Sequence, residues 1–210
     1  MASEDDFRYL TTYADLSSTG VSNQFTEYAP DLGEVLLLDN TIESVCATGF
    51  WTLYDAINYG ANDTGDVCHF RAIKTCDDLS SSCRNVISSL RYSGSPYGIN
   101  NDYYNLYEGI NQRGMEFGGE TDAPHLGDLD LEVSSLVVSG QSAWTFYTGQ
   151  GYTGASVCVY TDTHLSSSGI HLDYIQINEL TELSLPDNSI RSVKRGCLAD
   201  RVVGAPPPWP

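Results

Sequence analysis

The side chains that could support catalysis do not form a recognisable catalytic or zinc-binding pattern. No two histidines stand four positions apart, and no Cys-x2-Cys pair is present. The adjacent Cys68 and His69 cannot supply four zinc ligands alone. The four histidines are expected in surface loops, where polar residues concentrate. They are His69, His125, His164 and His171.

Motifs for nucleophilic and phosphate chemistry are also missing. The sequence has no Gly-x-Ser-x-Gly elbow that would expose a nucleophilic serine beside a base. It has no Gly-x4-Gly-Lys-Ser/Thr or Gly-x-Gly-x-x-Gly run that would hold phosphates. The sequence therefore predicts a protein that is not an enzyme and has no catalytic residues and no organic cofactor.

The charge balance excludes several partners. The 210 residues include 10 Lys and Arg against 28 Asp and Glu, a net charge of −18. Nucleic acids and anionic membranes, which bind clustered basic residues, would be repelled. No apolar run approaches the roughly 18–20 residues of a membrane helix. A strongly acidic chain attracts cations instead, so calcium is the first candidate partner.

The six cysteines divide into four in the first half of the chain and two in the second, both even numbers. Disulfides confined to one half would pair Cys158 with Cys197 and leave three connectivities open in the first half. Free buried thiols are the alternative. The cysteines and the sequon Asn62-Asp63-Thr64 favour an extracellular protein over a cytoplasmic one. The first-half cysteines are Cys46, Cys68, Cys76 and Cys83.

The elements that position these groups are short strands. Segments rich in Val, Leu, Tyr and Ser, such as 134–138 and 156–160, end at clusters of Gly, Asn and Asp. Few windows show helical periodicity. This pattern predicts an all-β protein.

The chain repeats itself. Trp51-Thr52-Leu53-Tyr54 recurs 93 residues later as Trp144-Thr145-Phe146-Tyr147. An aromatic residue followed by six residues and a glycine occurs at 13–20, 107–114 and 147–154, while Tyr54 fits loosely with Gly60 and Gly65. Self-similarity of this kind indicates a repeated structural unit.

Each aromatic element is followed by a six-residue signature. Every signature has an aliphatic residue at its fourth position and serine at its sixth, and the four begin 45, 46 and 57 residues apart. A polar insertion at 164–169 accounts for the longer last interval. The signatures are residues 39–44, 84–89, 130–135 and 187–192.

Four units of this size predict four Greek keys. One key leaves an uncovered face and open edges, so keys should pair into sandwiches. We expect a first domain at 1–94, a second at 102–199 and a Pro-rich flexible tail at 200–210, with the segment 93–98 as the connector.

These residues resemble the βγ-crystallin superfamily, whose keys carry an aromatic-x6-glycine element and a later serine. The resemblance spans roughly residues 7–199. The resemblance implies two β-sandwich domains of two keys each. The physical reasons for the three residue types are independent of the family. Glycine permits positive φ where the hairpin folds, the aromatic ring packs beneath it, and the serine hydroxyl bonds the backbone of the turn.

The resemblance also implies calcium sites. Microbial and invertebrate members bind calcium through an Asn/Asp-Asn/Asp-x-x-Ser/Thr-Ser stretch, with both keys of a domain contributing oxygen ligands. Thr41, Val86, Glu132 and Ser189 would act through backbone carbonyls. The full set of metal candidates is Asp39, Asn40, Thr41, Glu43, Asn85, Val86, Ser88, Asp130, Glu132, Ser134, Asp187, Asn188 and Ser189.

None of the four signatures matches the family pattern fully. Glu43 and Arg191 stand where a hydroxyl residue belongs, Arg84 replaces a first-position Asn or Asp, and Leu131 replaces the second polar residue. A cation at Arg191 would repel a metal ion unless it points away. The alternative is that all four stretches are only turns, which favour Asp and Asn.

The sequence thus predicts a calcium-binding structural protein of modest affinity, secreted rather than cytoplasmic. The alternative is a secreted binding module, such as a toxin, defence or inhibitor component, that recognises a protein or glycan through its loops. Self-association is left open, and membrane insertion is not expected.

Overall fold

The computed structural model describes residues 7–34, 38–61 and 65–206. The chain divides into two compact units, one of residues up to 93 with 166–170 and one of residues 94–165 with those from 171 onward. The sequon at 62–64 and the last four residues of the predicted tail lie outside the described residues. No helix in the described ranges is long and apolar enough to span a membrane.

Strands dominate both units, and this confirms the all-β prediction. Helical structure in the described ranges is limited to 3₁₀ segments at Ile57–Gly60, Ile110–Gln112, Gly127–Leu129 and Leu180–Leu183. The strands are β1 (Tyr9–Asp15), β2 (Thr19–Phe25), β3 (Ser44–Tyr54), β4 (Val67–Asp78), β5 (Ser89–Ser93), β6 (Tyr103–Gly109), β7 (Arg113–Gly119), β8 (Ser135–Ser139), β9 (Trp144–Gly149), β10 (Thr153–Val159), β11 (Thr163–Ser167), β12 (Ile170–Ile177), β13 (Ser192–Arg195) and β14 (Val202–Val203).

The first unit is built on one long strand. β3 pairs with β1 at its start and with β5 at its end, while β4 runs antiparallel to it along both parts. The strand order is β2-β1-β3-β4, with β5 also on β3. β4 therefore links the hairpin of the second key to the strands of the first key.

The second unit has two separate sheets. One has the order β11-β12-β8-β6-β7 and the other β13-β9-β10-β14. β12 of the fourth key lies beside β8 of the third key, and Ala123 of the third key bridges to Val193 in β13. Each key thus sends part of its chain to its partner's sheet, which brings the two keys of the unit together.

Each unit has its own apolar core, centred on the repeated Trp-Thr-x-Tyr segment. Trp51 in β3 and Trp144 in β9 are both 0% exposed. Trp51 faces Tyr92 across the strand pair, and Trp144 faces Arg195. The 93-residue offset in the sequence is therefore a structural repeat.

The sixth-position serines fasten all four hairpins, as predicted. In each case the serine Oγ donates to one hairpin carbonyl and accepts from one hairpin N–H. Ser135 Oγ, for example, lies 2.6 Å from Gly109 O and 2.9 Å from Gln112 N. The other three are Ser44, Ser89 and Ser192.

The glycine of the aromatic element is required by its backbone. Gly114 has φ +73°, and a Cβ there would lie 2.5 Å from Glu108 Oε2. That carboxylate accepts the Met115 N–H at 2.9 Å and so closes the turn. Gly65 holds the matching place in the longer second hairpin, where Asp55 accepts the Asp66 N–H at 2.6 Å.

Three disulfides brace the units from within. Cys158–Cys197 joins the second-half pair, as expected for domain-local bridges. Cys46–Cys76 and Cys68–Cys83 select one of the three connectivities that the sequence left open in the first half. The pattern is typical of proteins from oxidising compartments.

Candidate functional site

The signatures meet in pairs, first with second and third with fourth. Their fifth residue is fixed in the same way each time, because its N–H donates to the carbonyl of the aromatic residue that opens the key. The four bonds run from Glu43 to Tyr13, Ser88 to Tyr54, Ser134 to Tyr107 and Arg191 to Tyr147, at 2.8–2.9 Å. With the backbone anchored there, the fifth side chain of one signature reaches the opposite signature.

The first unit places two oxygen-bearing side chains together at Asp39 and Ser88. Ser88 Oγ donates to Asp39 Oδ1 at 2.6 Å, although 49 residues separate them. Asp39 is exposed and Ser88 is 7% exposed. The Asn40 N–H donates to Ile87 O at 3.0 Å and so joins the two loops. A carboxylate and a hydroxyl at this spacing are the hard oxygen donors that calcium prefers.

The same unit forms a second pair from Glu43 and Asn85. Asn85 Nδ2 donates to Glu43 Oε1 at 2.7 Å, and the Asn85 N–H donates to Ile42 O at 2.9 Å. Arg84, the unfavourable residue of this signature, sends its Nε to Leu79 O at 2.6 Å. At least this guanidinium nitrogen is therefore engaged by the backbone.

In the second unit, Asp130 and Arg191 hold the signature positions that Asp39 and Ser88 hold in the first unit. Arg191, at the fifth position, binds Asp130 with two parallel hydrogen bonds, Nε to Oδ1 at 2.8 Å and Nη2 to Oδ2 at 2.5 Å. The hydrogen bonds from Arg191, joined by one from Gln150, lower the pKa of Asp130 below its ordinary value, against a smaller effect of burial. The Arg191 side chain does not point away from the signature. Its guanidinium binds both oxygens of the Asp130 carboxylate, which a metal ion would need as a ligand.

The other pair of the second unit is neutral. Ser134 Oγ donates to Asn188 Oδ1 at 3.2 Å, and the Asn188 N–H donates to Val133 O at 3.0 Å. Next to it, the buried Ser189 Oγ has no hydrogen-bond partner among the described residues. This pair offers oxygens but no carboxylate.

The remaining candidates serve the loops or face solvent. Asn40 has φ 56°, and Thr41 Oγ1 donates to Leu38 O at 2.8 Å. Val86 packs against the core, and Glu132 and Asp187 are exposed. The described ranges hold no cluster of three or more His, Cys, Asp or Glu suited to a metal. Hydroxyl, amide and backbone oxygens would have to complete any calcium shell.

Comparisons with solved structures identify the architecture. Geodin, a βγ-crystallin from Geodia cydonium, aligns with 90% of this chain and 99% of its own at a TM-score of 0.65 and 20% identity. The chain has the βγ-crystallin fold. A βγ-crystallin from an archaeon matches 46% of this chain and 99% of its own, with 26% identity and a TM-score of 0.35. Protein S complexed with calcium matches 89% and 98%, with 16% identity and a TM-score of 0.34. No protein-family model and no curated sequence matches the chain.

One polar pair in this βγ-crystallin fold was not expected. His164 Nδ1 lies 2.8 Å from Oδ1 of the buried Asp173, whose Oδ2 accepts from Asn100 Nδ2 at 3.0 Å. His164 thus pairs across its hairpin instead of standing alone in a loop. No serine, threonine or cysteine side chain bonds to His164 in the hydrogen bonds of the described residues. In the sequence, the only feature that could have indicated this pair is the position of His164 at the start of the polar insertion and of Asp173 after it.

Proposed function

We propose that this protein is a non-enzymatic, secreted structural protein that binds calcium with modest affinity through its first unit. The observation that supports the proposal most is the contact of Asp39 with Ser88 across two keys. It joins a carboxylate to a hydroxyl on loops whose backbones are already fixed. Preorganised ligands lower the ordering cost of binding.

The Asp39–Ser88 pair supplies one carboxylate and one hydroxyl to a cation. Ser88 Oγ now donates to Asp39 Oδ1 and Asn40 Nδ2 donates to Asp39 Oδ2 at 3.1 Å, so these side chains would turn to present their oxygens to an ion at about 2.3–2.6 Å. The loop carbonyl of Val86 and water would provide further oxygens. Asp39 is exposed, so an ion could reach it directly from solvent.

The Glu43–Asn85 pair is the second place for an ion. Asn85 would turn its amide to present Oδ1, beside a carboxylate longer than the hydroxyl that the family uses. The net charge of −18 favours cations at both places. The loss of the Asn85–Glu43 hydrogen bond on binding is one reason to expect modest affinity.

The second unit is proposed to be the weaker binder or a non-binder. Arg191 already neutralises Asp130 through a bidentate ion pair, and an entering calcium would have to displace it. The neutral Ser134–Asn188 pair lacks a carboxylate. Calcium should therefore stabilise the first unit by mass action and leave the second largely unchanged.

Calorimetric titration and thermal melting of the chelator-treated protein test this function. Calcium should bind saturably and raise the melting temperature, and Asp39→Asn should weaken binding strongly. Asp200→Asn is the matched control, since it removes the same charge from an exposed position outside the signatures. The proposal is wrong if millimolar calcium gives neither heat nor a melting shift, or if both variants bind like the wild type.

A further inference from the structure

A polar depression in the second unit lies outside the four signatures. It has a volume of about 560 Å³ and is lined by side chains just before β6, after β7, in the loop between β8 and β9, and at the end of β13. We propose that it is a binding site for a neutral saccharide. The proposal is independent of calcium.

The floor of the depression is fixed by Asp102. Its Oδ1 accepts the N–H groups of Gln141 and Ser142 at 2.7 and 2.8 Å, and its Oδ2 accepts Ser142 Oγ at 2.7 Å and an Arg195 nitrogen. Arg195 also lies over the buried Trp144 ring, with Cζ 5.7 Å from the centroid. The carboxylate and the guanidinium are therefore held rigidly, as a ligand site requires.

A comparison of the repeats indicates that this depression is a specific addition. Seven positions separate Ser44 from Trp51 in the first unit, where β3 is continuous. Nine separate Ser135 from Trp144 in the second, where Gly140 to Ala143 form a loop between β8 and β9. Two additional residues thus create the loop whose N–H groups hold Asp102.

In the first unit, the place that corresponds to the depression is filled by the Arg8 side chain. Arg8 stands just before β1, as Asp102 stands just before β6. Its guanidinium lies 3.7 Å from the centre of the Tyr92 ring, and Tyr92 faces Trp51 as Arg195 faces Trp144. Arg8 is 7% exposed, so the space is closed by a stacked pair. The second unit has an ion pair and an open depression instead.

The chemistry of the rim indicates the ligand class. Asn101, Glu120, Thr121 and Gln141 are exposed, and no hydrogen bond joins their side chains to another described residue. Two amides, a hydroxyl and a carboxylate together offer both donors and acceptors at short range. Ring hydroxyl groups of a saccharide, each of which donates and accepts, match such a rim.

Other ligand classes fit less well. An anion would meet Asp102 and Glu120 and only one guanidinium, which is already paired, in a chain of net charge −18. A metal ion would find Asp102 held by two backbone N–H groups and paired with the Arg195 guanidinium, as Asp130 is paired with Arg191. An apolar ligand would find a lining made of Asn, Asp, Glu, Thr, Gln and Arg. Of the ligand classes compared, a neutral polyhydroxylated ligand fits the lining best.

Saturation-transfer NMR in the presence of chelator tests the site. The probes are the neutral disaccharides maltose, cellobiose, lactose and diacetylchitobiose at millimolar concentration, with a sulfated heparin disaccharide as the anionic comparison. At least one neutral disaccharide should receive saturation from the protein, and the heparin disaccharide should not. Asn101→Ala and Gln141→Ala should each weaken binding by about fivefold, the effect of losing one neutral hydrogen bond.

Gln24→Ala is the control, because Gln24 is an exposed glutamine in the first unit. It should bind like the wild type. Far-UV circular dichroism and melting of each variant would show that the fold is kept. The proposal is overturned if no neutral disaccharide binds, if only the sulfated one binds, or if the control loses binding as much as the two rim variants. Because calcium is absent, failure here would leave the calcium proposal untouched.

Discussion

Removal of the buried Ser135 hydroxyl should greatly lower the free energy of unfolding, because this hydroxyl bonds two backbone groups of the folded hairpin. Ser135 is 0% exposed, and its Oγ joins the Gly109 carbonyl at 2.6 Å to the Gln112 N–H at 2.9 Å. Ser135→Ala removes both bonds. The folded hairpin would then contain two backbone polar groups that have lost this partner.

The magnitude follows from the number of groups affected. A buried backbone group left without its partner costs about 1–3 kcal/mol, so the loss of two partners should cost roughly 2–6 kcal/mol. For a unit of this size, each kcal/mol corresponds to a melting shift of about 4 °C or more. The transition of the second unit should therefore fall by roughly 8–24 °C.

Differential scanning calorimetry measures this shift, and the neighbouring serine provides the control. Ser134 is 6% exposed, but within the described part of the chain its Oγ makes only the 3.2 Å bond to Asn188. Ser134→Ala should cost no more than about 1.5 kcal/mol, the loss of one ordinary hydrogen bond. If Ser135→Ala melted within a few degrees of the wild type, or no lower than Ser134→Ala, the fastening role would be refuted.

Three other results are expected. Arg191→Ser should free Asp130 and add calcium binding to the second unit, seen as a higher calorimetric stoichiometry; an unchanged stoichiometry would contradict this. Burial raises the pKa of Asp102, but the hydrogen bonds from its neighbours and the nearby guanidinium have the larger combined effect and lower this pKa below its ordinary value of 3.8. The ionised carboxylate therefore stabilises the fold above the unfolded pKa, and this stability is lost as pH falls through the lower folded pKa. Melting curves between about pH 5 and 2 should show a smaller loss of stability for Asp102→Asn than for the wild type. Because Cys76 is exposed, limited reduction followed by alkylation and mass spectrometry should open Cys46–Cys76 before the other two bridges, and a different order would refute this.

Features set by local backbone chemistry were predictable from the sequence. The aromatic, glycine and serine of each key act within one hairpin and its following signature, so their types and spacing indicate their roles. Gly114 stands where the backbone has a positive φ, and Ser135 Oγ accepts the Gln112 N–H of the folded hairpin. The repeated tryptophan segment likewise indicated a duplicated unit, and each copy is buried in the core of its own unit.

Features set by contacts between keys were not predictable in detail. The Arg191–Asp130 ion pair joins residues 61 apart, and one sequence alone does not show which way that arginine turns. The choice among three disulfide connectivities depends on which strands pair, as Cys46 opposite Cys76 shows. The two-residue extension before Trp144 was visible in the repeat, but its meaning depends on the position of Asp102.

Backbone amide NMR spectra recorded during a calcium titration test whether the first unit binds calcium through its signatures. Calcium should move the resonances of residues 39–43 and 85–88 in a saturable way and leave those of 130–134 and 187–191 nearly unchanged. Shifts concentrated in the second unit, or shifts spread evenly over exposed carboxylates with no saturation, would contradict the proposal that the cross-key pair of Asp39 and Ser88 forms a calcium site.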